Sequence, residues 1–293
     1  MRPLRSLLAC LSLLAATQAQ AADSLYACGN DQVREYRLES GTAHEIWRWR
    51  ARDAVELPAA YRHRLLANID QCKPVDGGRR LLLTASTGGV VLLDRHSGKV
   101  EFRAEAPMAH AADVLPHGLI AVALSLSPQG NRLQLYDRRH SERPLFEVPL
   151  YSGHGAIWDA RRHRLFALSF NLLQTFTLDV EQGTPVLRES AHWRLPGRRD
   201  GHVLAAQGDG RYWVSTDDGV WLFDPDEGRF TPYAPLAQAE RVKSISVLGE
   251  RLAWVQAEQK WWAHGFHIGR VEGGAAHYIP VEDLKLYKVD WNR

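Results

Sequence analysis

Short segments of alternating apolar and polar residues recur along the chain, and four of them end in an aspartate. Their aspartates are 43, 42 and 45 residues apart, in the segments Val90–Asp94, Leu133–Asp137, Thr175–Asp179 and Val220–Asp224. A period of two residues is typical of β-strands that bury one face. A regular repeat of about 40–50 residues is the pitch of four-stranded propeller blades. The pattern therefore predicts an all-β protein with a β-propeller fold.

Further strands and turns keep the same phase within each repeat. An apolar strand precedes each aspartate strand, as at Arg80–Thr84 and Leu119–Ala123. Gly88-Gly89 and Asp218-Gly219 supply the residues that tight hairpin turns require. Each repeat thus holds about four short strands, and no long helical period separates them, which argues against an α/β fold.

Counting the repeats predicts a six-bladed propeller as one domain over residues 22–293. The predicted blades cover residues 25–51, 66–104, 109–150, 152–195, 200–236 and 242–281. Residues 284–291 read as one more strand, which we expect to pair with the first blade and close the ring. Seven blades are the alternative if residues 51–66 contain strands, although that segment reads as a loop with a helical turn.

The first 21 residues have the three parts of a secretory signal peptide: Arg2 and Arg5, an apolar run, and small residues before a cleavage point at Ala21. Removal of this segment lowers 36 basic residues to 34, which equals the 34 acidic residues. We therefore expect a soluble periplasmic or secreted protein with no net charge. Such a protein has no global attraction to nucleic acid or to an anionic membrane, and no later segment is long enough to insert into a bilayer.

Two cysteines, Cys28 and Cys72, remain after cleavage. An even pair in an oxidising compartment is a candidate disulfide. Two buried free thiols are the alternative, because spacing along the chain does not give the distance between two side chains.

A second repeat carries the candidate chemistry. Five basic or imidazole side chains stand just ahead of the predicted innermost strands, 37, 44, 48 and 41 residues apart: Lys73, His110, His154, His202 and Lys243. The innermost strand of each blade begins at one mouth of the central channel. We therefore expect these side chains to form a basic funnel that binds a small anion, with Arg199 nearby.

An acidic sugar of the uronate type is the natural anion for such a funnel in an exported protein. Trp158 and Trp262 are candidate aromatic platforms for a sugar ring, although most tryptophans of a propeller pack between blades. For a lyase acting on uronate glycans, the candidate catalytic residues are His154, His202 and Lys243. Asp113, Asp159 and Asp200 lie near the histidines but give only weak support to a hydrolase.

A divalent metal is a further possibility, since His110, His154 and His202 resemble the three imidazoles of a catalytic zinc site. Their wide spacing along the chain, without an HxH or HxxxH pair, favours a site without metal or other cofactor. The motifs GxSxG, CxxC and a glycine-rich phosphate loop followed by a helix are absent from the sequence.

Several segments resemble a family of secreted bacterial WD40-like propellers of unknown function: Cys72–Asp76, Ala85–Gly89, Gly153–Asp159 and Val242–Ser244. The resemblance spans most of the chain after the signal segment. It implies a six-bladed propeller with a site built on Lys73, His110, His154, His202 and Lys243, and it implies no activity. The chain departs from that family's pattern at Ala109 and Ala111, where the family carries polar residues.

Three hypotheses follow for the function. The first is a non-catalytic protein that binds an acidic glycan or another small anion in the funnel. The second is a polysaccharide lyase that uses the same residues, and the third is a scaffold that binds a protein partner across its face. The fold alone does not decide between them.

Overall fold

The computed structural model describes residues 23–39, 41–197, 200–281 and 283–292. Within these residues, twenty-four strands form six separate antiparallel sheets of four strands each. The sheets are the blades of a six-bladed β-propeller, which confirms the predicted fold. The seven-blade alternative fails because residues 51–66 form a 3₁₀ turn at Ala51–Asp53 and a π-helical turn at Tyr61–Leu65 instead of strands.

The strands are numbered in chain order, and each blade runs from an innermost strand at the channel to an outermost strand at the rim. Blade 1 consists of β24 (Leu286–Trp291), β1 (Ser24–Gly29), β2 (Gln32–Glu39) and β3 (Thr42–Arg50). Blade 2 consists of β4 (Ile69–Val75), β5 (Arg80–Ala85), β6 (Gly89–Asp94) and β7 (Val100–Glu105). Blade 3 consists of β8 (Ala109–Leu115), β9 (Leu119–Leu124), β10 (Arg132–Asp137) and β11 (Pro144–Pro149).

The remaining three blades follow the same order. Blade 4 consists of β12 (Gly155–Asp159), β13 (Arg164–Leu168), β14 (Leu172–Glu181) and β15 (Thr184–Arg194). Blade 5 consists of β16 (Val203–Ala206), β17 (Tyr212–Thr216), β18 (Gly219–Asp224) and β19 (Arg229–Pro232). Blade 6 consists of β20 (Val242–Leu248), β21 (Arg251–Gln256), β22 (Gly265–Arg270) and β23 (His277–Pro280).

The last strand closes the ring. β24 lies at the inner edge of blade 1, antiparallel to β1, with Leu25 opposite Trp291 and Ala27 opposite Val289. The tail strand therefore supplies the innermost strand that the N-terminal segment lacks. The six innermost strands contact one another in a closed circle around the channel. Closure leaves no unpaired strand edge between the first blade and the last.

The hydrophobic core is divided among the interfaces between blades. Each of six apolar clusters joins two neighbouring blades, such as Tyr26 of blade 1 with Leu81 of blade 2, or Phe166 of blade 4 with Val214 of blade 5. The middle strands of the sheets are consequently buried on both faces, which explains why β5, β6 and β9 are nearly continuous apolar runs. No helix in the described part of the chain is long and apolar enough to cross a membrane.

A disulfide joins Cys28 on β1 to Cys72 on β4, with 5.9 Å between the Cα atoms. It links blade 1 to blade 2 beside the channel, and both cysteines are fully buried. The bond therefore reinforces the blade interface next to the closing strand.

The double substitution Cys28→Ala/Cys72→Ala is expected to lower the free energy of unfolding by about 4 kcal/mol, since the bond closes a loop with a sequence separation of 44. Denaturant unfolding of the oxidised protein and of the variant measures the difference. The reduced parent protein is the control and should unfold close to the variant. Equal stability of the oxidised protein and the variant would contradict this account of the bond.

Candidate functional site

A β-bulge stands at the start of four innermost strands and sets the direction of one side chain in each. The strand pairing omits Asp70 on β4, His110 on β8, Lys243 on β20 and Tyr287 on β24. A bulge leaves one residue out of the ladder and re-aims its side chain. All four strands begin at the same end of the channel, so the bulges direct these side chains toward one another.

The other two blades place a histidine at the same level. His154 directly precedes β12 and donates its backbone N–H to Leu168 O at 2.9 Å. His202 directly precedes β16 and donates its backbone N–H to Ser215 O at 3.1 Å. Each blade thus contributes one side chain to a set that we call the polar ring: Asp70, His110, His154, His202, Lys243 and Tyr287. Every member of the ring is at most 8% exposed.

Five of the six ring side chains form a continuous series across the channel mouth, while the carboxylate of Asp70 accepts hydrogen bonds from Asn68 Nδ2 and from the backbone N–H of Ser86. The ring centroids of His110 and His154 lie 4.7 Å apart, and those of His154 and His202 lie 5.0 Å apart. The Nζ atom of Lys243 is 2.6 Å from Nε2 of His202. Tyr287 lies on the other side of His110, with 6.0 Å between ring centroids. Side chains from distant parts of the sequence therefore form one cluster.

Two of the histidines are held neutral with a defined tautomer. Nδ1 of His110 lies 3.0 Å from Met108 O, and Nδ1 of His154 lies 2.9 Å from Ser152 O. A carbonyl oxygen only accepts, so each Nδ1 carries the proton and each Nε2 is the acceptor nitrogen. Burial lowers the pKa of His110 to about 4 and the pKa of His154 well below its usual range. Both rings thus present a neutral nitrogen lone pair.

The third histidine belongs to a network of charged groups. Its Nε2 atom lies 3.2 Å from Asp217 Oδ1 and 3.3 Å from Asp200 Oδ2, besides its contact with Lys243. Its Nδ1 atom is buried and has no hydrogen-bond partner. Burial lowers the pKa of Lys243 to about 8, although the charges of Asp200 and Asp217 oppose that shift. An amine and two carboxylates therefore cluster around one imidazole nitrogen at one edge of the ring.

In the second blade, the residue that reaches the ring lies three positions before the predicted one. Asp70, and not Lys73, occupies the ring position, because β4 begins at Ile69 and bulges at the next residue. Lys73 lies farther along the channel, where its Nζ atom pairs with Asp113 Oδ2 at 3.0 Å. Burial raises the pKa of Asp70 to about 7, and the neighbouring charge of Lys288 opposes the rise. The ring is therefore less basic than the sequence predicted.

Beyond the ring, the channel widens into a cavity of about 150 Å³. The walls of this channel cavity carry both amines and acids, namely Lys73, Asp113, Lys243, Lys288 and Asp290. Lys288 was not a predicted site residue. It donates a hydrogen bond from Nζ to His110 O at 3.1 Å, and burial lowers its pKa to about 8. The ring thus separates the outer mouth from a second polar compartment.

Aromatic side chains lie at the outer mouth, and one of the two predicted tryptophans, Trp262, is among them. Trp261 is 38% exposed and its ring lies 6.0 Å from that of Tyr287. The ring of Trp262 lies 6.5 Å from that of Trp261 and beside Lys285, and it is less exposed than Trp261. Trp158 packs against the apolar interface of blades 3 and 4, away from this mouth. Arg199 lies outside the described residues, as does the predicted signal segment.

An aromatic pair on the opposite side of the mouth had no signal in the sequence repeat. The rings of Tyr151 and Phe170 lie 5.7 Å apart, and 56% of Tyr151 is exposed. The carbonyl of Phe170 accepts a hydrogen bond from the backbone N–H of Asp200 at 2.8 Å. This contact places the pair beside the charged network of His202. The mouth thus has apolar, exposed rings on two sides and polar groups at its floor.

One family model matches almost the whole described part of the chain. A model described as a family of unknown function (DUF6528) matches residues 30–292, so the chain belongs to that family. No match is found among curated proteins. The family assignment agrees with the resemblance seen in the sequence motifs and brings no activity with it.

Solved structures show the same fold at low sequence identity. A protein of unknown function from Bacteroides caccae has a TM-score of 0.64 and 12% identity, over 93% of this chain and 100% of that one. A chain in a nidogen/laminin complex has a TM-score of 0.62 and 14% identity, over 92% of this chain and 98% of that one. At such identities the likeness concerns the fold alone.

The substitution His110→Gln is expected to make the free energy of unfolding less dependent on pH under acidic conditions. The pKa of His110 falls from 6.5 to about 4 on folding, so the unfolded chain takes up the proton first. Stability is therefore lost as the pH falls from about 6.5 to 4, by about 3 kcal/mol for this one group. Denaturant unfolding of both proteins between pH 8 and 4 measures the difference. Parallel curves would mean that His110 is not held neutral.

Proposed function

We propose that this DUF6528 protein is an exported binding protein that holds a small hydroxylated carboxylate, of the uronic-acid type, at the polar ring. The observation that carries this proposal is that hydrogen-bond acceptors and a charged donor lie side by side in one small channel mouth. His110 and His154 offer acceptor nitrogens, while Lys243 offers a buried amine. A ligand that satisfies both must carry donors and an anionic acceptor on one compact skeleton.

The neutral state of the histidines distinguishes a sugar acid from a simple anion. Sulfate presents only acceptor oxygens, and these would face the lone pairs of two neutral imidazoles. The hydroxyl groups of a sugar donate to such nitrogens, and a carboxylate accepts the charge-assisted hydrogen bond of an ammonium group. The ring therefore fits a uronate better than sulfate, and its one amine, that of Lys243, fits one carboxylate.

The aromatic residues of the mouth support a sugar as well. Sugar rings bind against exposed aromatic faces, which bury their C–H groups while the hydroxyls remain available for hydrogen bonds. Trp261 stands on the Tyr287 side of the ring, and the Tyr151–Phe170 pair stands on the Asp200 side. The two aromatic sites flank the polar floor, so a short acidic glycan would span the mouth.

Export from the cytoplasm is part of the proposal. The N-terminal segment has the pattern of a signal peptide, and the disulfide between Cys28 and Cys72 is the kind of bond that forms and persists in an oxidising compartment. The two observations are independent, since one lies in the leader sequence and the other in the folded domain. Both favour a periplasmic or secreted location, where acidic glycans occur as free ligands.

Elimination from a uronate glycoside is a second candidate function, favoured by the pKa of Lys243. An amine whose pKa lies near 8 is partly neutral at pH 7 and can take a proton from C5 of the sugar while the C4–O bond breaks. The ammonium group formed on Lys243 then gives that proton to the leaving oxygen. The product would carry a C4–C5 double bond that absorbs in the ultraviolet. Binding without a rise in absorbance would exclude this second candidate.

The substitution Lys243→Met is expected to weaken binding of galacturonate or glucuronate oligomers by about 100-fold, because the carboxylate loses its buried charged partner. His154→Phe keeps the ring shape, removes one acceptor and should cost about tenfold. Isothermal titration with uronate oligomers, the matched neutral oligomers and sulfate measures both effects. We expect neutral oligomers to bind weakly to the parent protein and to lose little affinity in Lys243→Met.

Two lysines serve as matched controls for this experiment. Lys99 lies in an exposed turn of blade 2, so Lys99→Met should leave the affinity for uronate oligomers unchanged. Lys73→Met removes an amine of the channel cavity and tests whether the ligand sits beyond the ring. A large loss with Lys73→Met and none with Lys243→Met would move the site to the cavity. No measurable uronate binding by the folded parent protein would overturn the proposal.

The substitution Trp261→Ala is expected to lower uronate affinity about tenfold, and Tyr151→Ala should lower it by a similar factor for oligomers longer than one sugar. Quenching of tryptophan fluorescence by the ligand should disappear in Trp261→Ala. Trp158→Phe is the control, because that side chain packs between blades 3 and 4. Unchanged affinity and unchanged quenching in Trp261→Ala would contradict the placement of the sugar at this mouth.

A further inference from the structure

We propose that His154, Asp200 and His202 form a binding site for a divalent transition metal of the zinc class. Each of the three residues offers a ligand atom, and these atoms all lie within 4.8 Å of one another. The separation of 3.3 Å between His202 Nε2 and Asp200 Oδ2 is close to the edge of a tetrahedron around an ion with bonds of about 2.0–2.1 Å. The set differs from the three predicted histidines, since Asp200 replaces His110.

The first histidine of this set is oriented as a metal ligand. Metal-binding histidines almost always donate the N–H of the other ring nitrogen to a carbonyl or carboxylate, which fixes the tautomer and the ring direction. His154 makes that bond from Nδ1 to Ser152 O at 2.9 Å, so its Nε2 lone pair is available. The Cys28–Cys72 bond leaves both described cysteines without a role as ligands, so nitrogen and oxygen donors define this site.

The second histidine carries an unsatisfied nitrogen. Nδ1 of His202 has no hydrogen-bond partner although the side chain is only 6% exposed. A buried polar atom without a partner is costly and uncommon, and it marks places where an ion or water completes the structure. The imidazole of His202 is therefore held only through the contacts of Nε2, which is the atom that faces Asp200.

The negative charges around this site also favour a bound cation. Asp200 and Asp217 both lie within 3.3 Å of His202 Nε2, and the Lys243 ammonium lies at 2.6 Å from the same nitrogen. A cationic group thus already lies against one of the proposed ligand atoms, as an internal counterion. A bound dication would displace Lys243 from His202 and balance the two carboxylates.

The donor set determines the class of ion. Two imidazoles and one carboxylate suit Zn²⁺ and related transition metals, whereas Ca²⁺ and Mg²⁺ prefer sites made of oxygen ligands. Three protein ligands leave the fourth position of a tetrahedral ion open to a water or to a carboxylate. The inference goes beyond the proposed sugar binding and does not rest on it, because metal affinity is measured without any sugar.

The test is titration of the chelator-treated full protein with Zn²⁺, and with Co²⁺ for its absorbance in the visible range. We expect one ion per chain, a tetrahedral Co²⁺ spectrum that Zn²⁺ abolishes, and no saturable binding of Mg²⁺. Asp200→Asn and His154→Phe should each weaken Zn²⁺ binding by about 100-fold. His110→Phe, in the same ring but outside the set, should change it less than about threefold.

Lys243→Met is the most informative variant, because it should change the affinity for Zn²⁺ and the affinity for uronate in opposite directions. Loss of the competing ammonium group should tighten Zn²⁺ binding by about tenfold, while uronate binding, measured in chelator, becomes weaker. Absence of one-to-one Zn²⁺ binding in both the parent protein and Lys243→Met would overturn the metal site. Zn²⁺ affinity unaffected by Asp200→Asn would do the same. Failure of uronate binding alone leaves the metal result intact, so the two proposals fail separately.

Discussion

The pairing of β24 with β1 is the interaction on which the rest of the structure depends. Blade 1 lacks an innermost strand of its own, and the C-terminal strand supplies it. Without this strand the circle of innermost strands would be open, and the interface between blades 1 and 6 would lose Trp291 and Val289. The same strand carries Tyr287 and Lys288 to the channel, so closure of the fold and completion of the site are one event.

Closure creates a second constraint at the centre of the molecule. Each blade buries its two faces against its neighbours, and the channel must be lined by whatever the innermost strands present. Polar side chains there are expensive unless each is neutral, hydrogen-bonded or paired. The protein uses all three solutions: the neutral His110 and His154 held by backbone carbonyls, the Lys73–Asp113 pair, and the amine of Lys288 bonded to a carbonyl. Two buried ring nitrogens beside the channel have no hydrogen-bond partner among the described residues: Nε1 of Trp291, in the wall of the channel cavity, and Nδ1 of His202. Only the second belongs to the polar ring, so it is the one that bears on the candidate site.

The sequence predicted the fold well because a propeller repeats its pattern with a fixed pitch. Four of the five candidate positions, the three histidines and Lys243, lie together in the structure for the same reason. The miss at Lys73 has a physical cause, since a bulge at Asp70 shifts the start of β4 and leaves no trace in the apolar pattern. Tyr287 and Lys288 lie in the tail strand, outside the repeat, and Asp200 and Asp217 lie in connecting loops. Loop conformation and bulges decide those placements, and composition does not reveal them.

The balance of charge at the mouth changes the basis of selectivity. The aligned residues predicted a cluster of positive groups, and the structure places Asp70, Asp200 and Asp217 beside them. A site of mixed sign does not attract an anion by its field alone, so discrimination must come from matching individual donors and acceptors. Such matching is demanding, because a ligand that leaves one buried group unpaired pays its full desolvation cost. A propeller suits this kind of site, since six blades each bring one independently variable side chain to the same small ring.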